Sequence, residues 1–217
     1  MIDFAAARRH MVDGQLRPNR VTGTGLLDAM GELPRELFVP PKARSIAYVD
    51  EDLALGGGRF LMEPLTFARL VQATAPQRHD TALDVGAATG YSSAVLARLC
   101  ASVVALEHDK VLSDQAAATL AQLGIDTVQQ VVGPLAEGHL KRAPYNVIVI
   151  NGAIDQAPDA LLAQLAEGGR LATVMGTGPV GRATLFTKRR GVASSRVLFD
   201  AVVAPLTDFA KEPGFVF

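Results

Sequence analysis

The 217-residue chain is long enough for one α/β domain that buries roughly 70% of its unfolded surface. With 49% hydrophobic residues, 20% charged residues and a formal net charge of −1, it lacks the basic excess that nucleic acid or an anionic membrane selects. Its one cysteine, Cys100, excludes an internal disulfide. No apolar run reaches the roughly 18 residues of a membrane-spanning helix and charges interrupt the first segment, so a cytoplasmic location is expected.

In chain order, residues 2–14 and 24–33 read as helices, the second with Leu26, Leu27 and Met30 at helical spacing. Pro34, Pro40 and Pro41 then break the pattern, and Gly56, Gly57 and Gly58 mark a loop expected to wrap a site. Helix resumes with Pro64 at its first position, where the missing N–H costs nothing. From Thr81 the strands 81–86, 102–107, 127–132, 146–151 and 169–175 alternate with helices near 91–99, 109–123 and 158–166. This is the pattern of a parallel sheet covered on both faces. Residues 183–191 and 194–206 read as two further strands joined by a short solvated turn at Lys188 to Gly191, an antiparallel finish. The chain is therefore expected to be one domain, 1–217, with an extension over 1–75 and a sheet over 76–217.

The turn "DVGAATG", Asp84 to Gly90, joins the first of these strands to a helix. A dinucleotide fingerprint starting at Gly86 would need glycines where Ala88 and Tyr91 stand, and a phosphate-binding Walker loop would need a lysine that is missing. What remains is an acidic residue two before Gly86 and a second glycine at Gly90, the D/E-x-G-x-G-x-G pattern of S-adenosylmethionine sites with alanine at its middle glycine. A carboxylate such as Asp84 suits the ammonium group of that ligand. Glu107 ends the next strand, seventeen residues after Gly90, where a carboxylate can accept hydrogen bonds from both ribose hydroxyls. His10, His79, His108 and His139 have no metal-ligand spacing with one another or with Cys100, so no metal is expected.

Over nearly its whole length the chain resembles the protein-L-isoaspartate O-methyltransferases. The resemblance rests on "MVDGQL", "PRELFVP" at Pro34 to Pro40, "AYVDEDLALGGG" at Ala47 to Gly58, "LDVGAATGYSSAVLARL" at Leu83 to Leu99, the segment Pro144 to Leu171, and "VAPL" at Val203 to Leu206. It implies a doubly wound, mostly parallel seven-stranded sheet of the Rossmann-like methyltransferase type, with a helical N-terminal extension and antiparallel C-terminal strands. It further implies methyl transfer from S-adenosylmethionine to the α-carboxylate of L-isoaspartyl residues in damaged proteins, leaving S-adenosylhomocysteine. Carried over by motif, Asp84, Gly86, Ala87, Ala88, Thr89, Gly90, Glu107, His108, Gly133, Pro134 and Leu135 would line the cofactor. Arg59, Leu61, Met62 and Asn151 would face the substrate.

The chain departs from the family pattern at several of these positions. Met62 stands where the family carries its active-site serine, and a thioether donates no hydrogen bond to a carboxylate. Losing such a donor costs about 1.5 to 3 kcal/mol. Glu63 adds a negative charge beside an anionic substrate. Pro134 replaces an adenine-contacting aspartate, with Glu137 a possible substitute, and Asn146 replaces the aspartate before the fourth strand. Arg59 is the expected compensating anchor for a substrate carboxylate, the alternative being a surface arginine solvated or paired with Glu63. Two other readings stay open: the same cofactor with a different methyl acceptor, or a non-catalytic module that only binds the cofactor.

Overall fold

The computed structural model describes residues 2–210. The first helix, α1 (Phe4–His10), is capped by the Asp3 side chain, which accepts from the Ala6 N–H at 2.9 Å. Where one helix over 2–14 was expected, the chain widens at Met11 into a π-helical segment ending at Leu16. Residues five apart align on one face of such a segment, so Met11 and Leu16 both reach the core. Helix α2 (Thr24–Glu32) buries Leu26, Leu27, Ala29 and Met30, and two 3₁₀ segments follow at Arg35–Phe38 and Pro41–Ile46.

Arg35 is fully buried and ties this extension to the rest of the molecule. Its Nε donates to the Ala47 carbonyl and its Nη2 to the Met62 carbonyl, each at 2.7 Å, and the guanidinium lies 4.8 Å from the Tyr91 ring centre. The segment read as a glycine-rich loop is a short antiparallel hairpin, β1 (Leu53–Gly56) and β2 (Arg59–Leu61). All three glycines take positive φ, which lets so short a connection close. Helix α3 (Pro64–Thr74) then begins with Pro64 in its first turn, as its sequence requires.

The sheet is built from β3 (Thr81–Val85), β4 (Ser102–Glu107), β5 (Val128–Val132), β6 (Tyr145–Ile154), β7 (Leu165–Met175), β8 (Gly181–Arg189) and β9 (Val192–Ala201). Its order is β5-β4-β3-β6-β7-β8-β9, parallel as far as β7 and antiparallel across β8 and β9. Helices α4 (Tyr91–Leu99), α5 (Lys110–Gln122) and α6 (Asp159–Ala163) connect the parallel strands. Alternate residues feed two cores. Ala82, Val147 and Val149 join α3, α4 and the extension, while Leu83, Val85, Ile148 and Ile150 join Leu161, Leu165 and Phe209 on the opposite face. The expected doubly wound sheet with an antiparallel end is the observed one.

Boundaries differ from expectation most at the junction of α6 with β7 and at the end of β9. Helix α6 stops at Ala163 and β7 starts at Leu165, because the Gln164 carbonyl already accepts from the Tyr145 N–H of β6 at 2.8 Å. At the other end β9 stops at Ala201. Residues 203–206 form a single bridge between Pro205 and Ala153 rather than a strand, since proline has no N–H to continue a ladder. The β8–β9 turn has both Arg190 and Gly191 at positive φ, the two-residue geometry that matches strand twist. Among the described residues no helix is long and apolar enough to cross a membrane.

Cys100 closes α4 in the core, and burial pushes its thiol up to about 12, with nearby Asp80 acting in the same direction. Only the thiolate is a nucleophile, so at pH 8 the reactive fraction is on the order of 10⁻⁴. Native protein is expected to show no reaction with a disulfide reagent over minutes, and one thiol should titrate in denaturant. Rapid labelling of the native protein would contradict this burial.

Candidate active site

In an open α/β sheet, ligands bind beyond the carboxyl ends of the strands where the connections reverse direction, here between β3 and β6. The turn Gly86 to Gly90 lies at that point, with Glu107 at the end of neighbouring β4 and Asn151 on β6. Gly86 and Gly90 have φ of 70° and 91°, and Ala88, at the middle glycine position, holds the same left-handed hand at 48°. An alanine in that conformation costs about 1 to 2 kcal/mol, so the turn imposes glycine geometry on a residue that is not glycine. The Gly86 and Ala87 amides both donate to the Leu106 carbonyl, at 2.9 and 3.1 Å, and the buried Thr89 hydroxyl donates to the Phe38 carbonyl of the extension at 2.6 Å.

Asp84 is fully buried. Its carboxylate accepts from the Ser92 hydroxyl at 2.7 Å, from the Ser93 hydroxyl, and from Asn151 Nδ2 at 2.6 Å. Burial raises its pKa, and these three donors oppose that shift by stabilising the charged form. Asn151 also donates to the Val85 carbonyl at 3.2 Å, so Asp84 fixes the orientation of a side chain expected on the substrate side. The serines of "GYSS" were not singled out in the sequence reading. Their spacing from Asp84, eight and nine residues across a strand-to-helix turn, is the signal that could have identified them.

Glu107 has no exposed surface. Its Oε1 accepts from the His108 and Asp109 amides at 2.9 and 3.1 Å, and its Oε2 from the Ala88 amide at 2.7 Å. The remaining partner is Arg59. Nη1 donates to Oε1 at 3.1 Å, Nη2 lies 3.0 Å from Oε2, and Nη2 also donates to the Gly86 carbonyl at 3.1 Å. Arg59 therefore lies neither on the surface nor against Glu63, the two arrangements expected of a non-functional arginine. It is buried on the carboxylate expected to hold the ribose. Glu63 instead accepts from the Thr66 hydroxyl, and its pKa is raised by partial burial, with Asp50 and Asp52 adding to the effect.

Leu61 and Met62 are buried beside this pair. Asp52 clasps two distant segments there, accepting from the Glu63 amide at 2.8 Å and from the Ala204 amide at 2.9 Å. The cavity between Arg59, Met62, Asn151, Gly152 and Leu206 has a volume of about 10 Å³, enough for one water. His108 Nδ1 faces Asp208 Oδ2 at 3.0 Å, so its ring turns toward the C-terminal segment. Gly133 donates to the Glu107 carbonyl at 3.0 Å, Pro134 is exposed, and Leu135 is buried in the second core. The Glu137 side chain is exposed, and its carbonyl accepts from Gln164 at 2.7 Å. The structure thus brings Arg59, Asp84, Gly86 to Gly90, Glu107 and Asn151 into one cluster, with His108 and Gly133 at its edge.

The donors and acceptors of this cluster fit S-adenosylmethionine in kind. A carboxylate stands at the end of the second parallel strand, held by three backbone amides, above a glycine turn whose backbone is open to close approach. With Arg59 where it stands, both Glu107 oxygens are already engaged.

Fold and cluster together define the Rossmann-like, S-adenosylmethionine-dependent methyltransferases. The chain belongs to the protein-L-isoaspartate(D-aspartate) O-methyltransferase family, whose model matches residues 7–211. A protein-L-isoaspartate O-methyltransferase of Methanoculleus marisnigri is 33% identical over 199 residues, covering 92% of this chain and 90% of its own length. A solved protein-L-isoaspartate O-methyltransferase superposes with a TM-score of 0.80 at 24% identity, covering 92% of this chain and 65% of its own length. A Plasmodium falciparum structure in complex with S-adenosyl-L-homocysteine gives a TM-score of 0.78 at 18% identity, covering 93% of this chain and 98% of its own. The enzyme is a methyltransferase, S-adenosylmethionine is its methyl donor, and isoaspartyl residues of proteins are its substrates.

Proposed function

We propose that this cluster carries out methyl transfer to the α-carboxylate of L-isoaspartyl residues, as the first step of their repair. The observation that supports it most is the Glu107 carboxylate, oriented by the Ala88, His108 and Asp109 amides beside the Gly86 to Gly90 turn. In this reading Glu107 accepts the two ribose hydroxyls, Asp84 stands at the cofactor's amino-acid end and holds Asn151 toward the substrate, and Gly133, Pro134 and Leu135 border the adenine. When bound, the cofactor supplies a methyl group on a positively charged sulfur. The acceptor carboxylate is already ionised at neutral pH, so the chain needs no general base. Its task is to align donor and acceptor at roughly 3 to 3.5 Å and exclude water.

Leu61 and Met62 provide an apolar wall in which no side chain replaces the family serine. Arg59 lines the same cavity as Met62, and as a substrate anchor it would have to leave Glu107 first. The balanced net charge supports a protein substrate over nucleic acid or a membrane surface, and a cytoplasmic setting. Labelled S-adenosylmethionine is expected to transfer its methyl group to an L-isoaspartyl peptide and not to the matching aspartyl peptide. Labelling of neither peptide would reject the assignment.

A further inference from the structure

The Arg59 to Glu107 contact has a function in this site besides neutralising a buried charge. We infer that Arg59 is an internal competitor for the cofactor's ribose position, so that cofactor binds only as the guanidinium leaves Glu107; this rests on the reading of Glu107 given above.

A carboxylate offers about four lone-pair positions. Here three backbone amides and a two-pronged guanidinium already engage both oxygens. Two ribose hydroxyls would need the positions that the guanidinium holds, because the amides belong to the framework and cannot withdraw. The turn beneath is covered by the same group. A β-carbon added at Gly86 would meet Arg59 Nη2 at 3.0 Å and Leu206 at 3.3 Å, so the backbone face a ligand must approach is in contact with the chain's own side chains. The cavity that Arg59 lines with Met62, Asn151 and Leu206 has a volume of only about 10 Å³.

Arg59 is also placed so that it can leave. It follows directly on Gly56, Gly57 and Gly58, at φ of 105°, 57° and 75°. A β-carbon at Gly56 or Gly58 would touch nothing within 4 Å, and one at Gly57 would make only an ordinary contact with Asp109 Oδ2 at 3.5 Å, so the hairpin tip is loosely packed. Three glycines in sequence give this tip the backbone freedom to swing the arginine outward without disturbing the sheet. Glu107, by contrast, ends a central strand.

If the undocked state makes up a few per cent of the free protein, apparent cofactor affinity is lowered by the inverse of that fraction, about 10- to 100-fold. Calorimetric titration with S-adenosylhomocysteine is expected to show Arg59→Gln binding at least 10-fold more tightly than the natural chain. Equal or weaker binding overturns the inference. A second measurement needs no variant. Phenylglyoxal modification at Arg59, followed by peptide mass spectrometry, is expected to be slow in the free protein and several-fold faster with S-adenosylhomocysteine, the reverse of ordinary ligand protection. Unchanged or slower modification in the presence of ligand also overturns it. The two failures are distinguishable: ligand that binds natural chain and variant equally removes the competitor alone, whereas ligand that binds neither at millimolar concentration removes the cofactor assignment as well.

Discussion

Glu107→Ala is expected to destabilise the fold by about 1 to 3 kcal/mol and to abolish measurable S-adenosylhomocysteine binding. The stability loss follows from what the carboxylate leaves behind. Arg59 is 5% exposed, and without Glu107 its remaining acceptor is the Gly86 carbonyl. The amides of Ala88, His108 and Asp109 lose their acceptor at the same time. Arg59 can swing to water on its glycine tip, so the cost is that of the buried amides left without an acceptor, about 1 to 3 kcal/mol. Against a total stability of roughly 5 to 15 kcal/mol this is a large fraction. Urea unfolding followed by circular dichroism measures it, and a loss of about 3 to 5 kcal/mol, the cost of a buried charge left unpaired, would show that Arg59 cannot swing to water once its partner is gone.

Gly90→Ala is expected to cost about 2 to 6 kcal/mol, for two separable reasons. Gly90 has φ of 91°, a region in which a side chain adds about 1 to 3 kcal/mol of strain. Its missing side chain is also where α4 and α5 touch: an added β-carbon would lie 2.9 Å from the Ala116 β-carbon. Overpacking of that kind costs typically 1 to 3 kcal/mol. Ala116→Gly in the same chain removes the clash and leaves the strain. The double-mutant cycle should therefore return a favourable coupling of about 1 to 3 kcal/mol. Additive losses would mean that α5 has shifted away and that strain is the whole effect.

The parallel sheet, the glycine turn and Glu107 were legible in the sequence because each depends on residues close together in the chain. Alternation of short apolar runs with helices fixes β3 to β7, and one acidic residue on either side of the turn marks the ligand side. The partner of Glu107 was not legible. Arg59 lies 48 residues upstream, on a hairpin whose closure depends on three glycines rather than on apolar periodicity. The lengths of α6 and β9 were hidden for a similar reason. One helix is cut short by a hydrogen bond from β6 to Gln164, and beyond Ala201 the chain leaves β8 to bridge Ala153 of β6 instead. Local pattern specifies which element forms, and a contact from elsewhere in the chain decides where it stops.

The clasp at Asp52 bears on the order in which the molecule is made. One carboxylate oxygen holds the amide of Ala204, 152 residues later, so the chain spanning almost the whole sheet must exist before this bond can close. Closure of so long a loop is entropically unfavourable until the intervening strands have already brought its ends together. During synthesis, when N-terminal segments leave the ribosome first, the glycine turn and Glu107 are complete well before Leu206 is available to cover them. A nascent chain thus passes through an interval in which the proposed cofactor cradle is formed on one side only, and the residues around Ala204 act as its final seal.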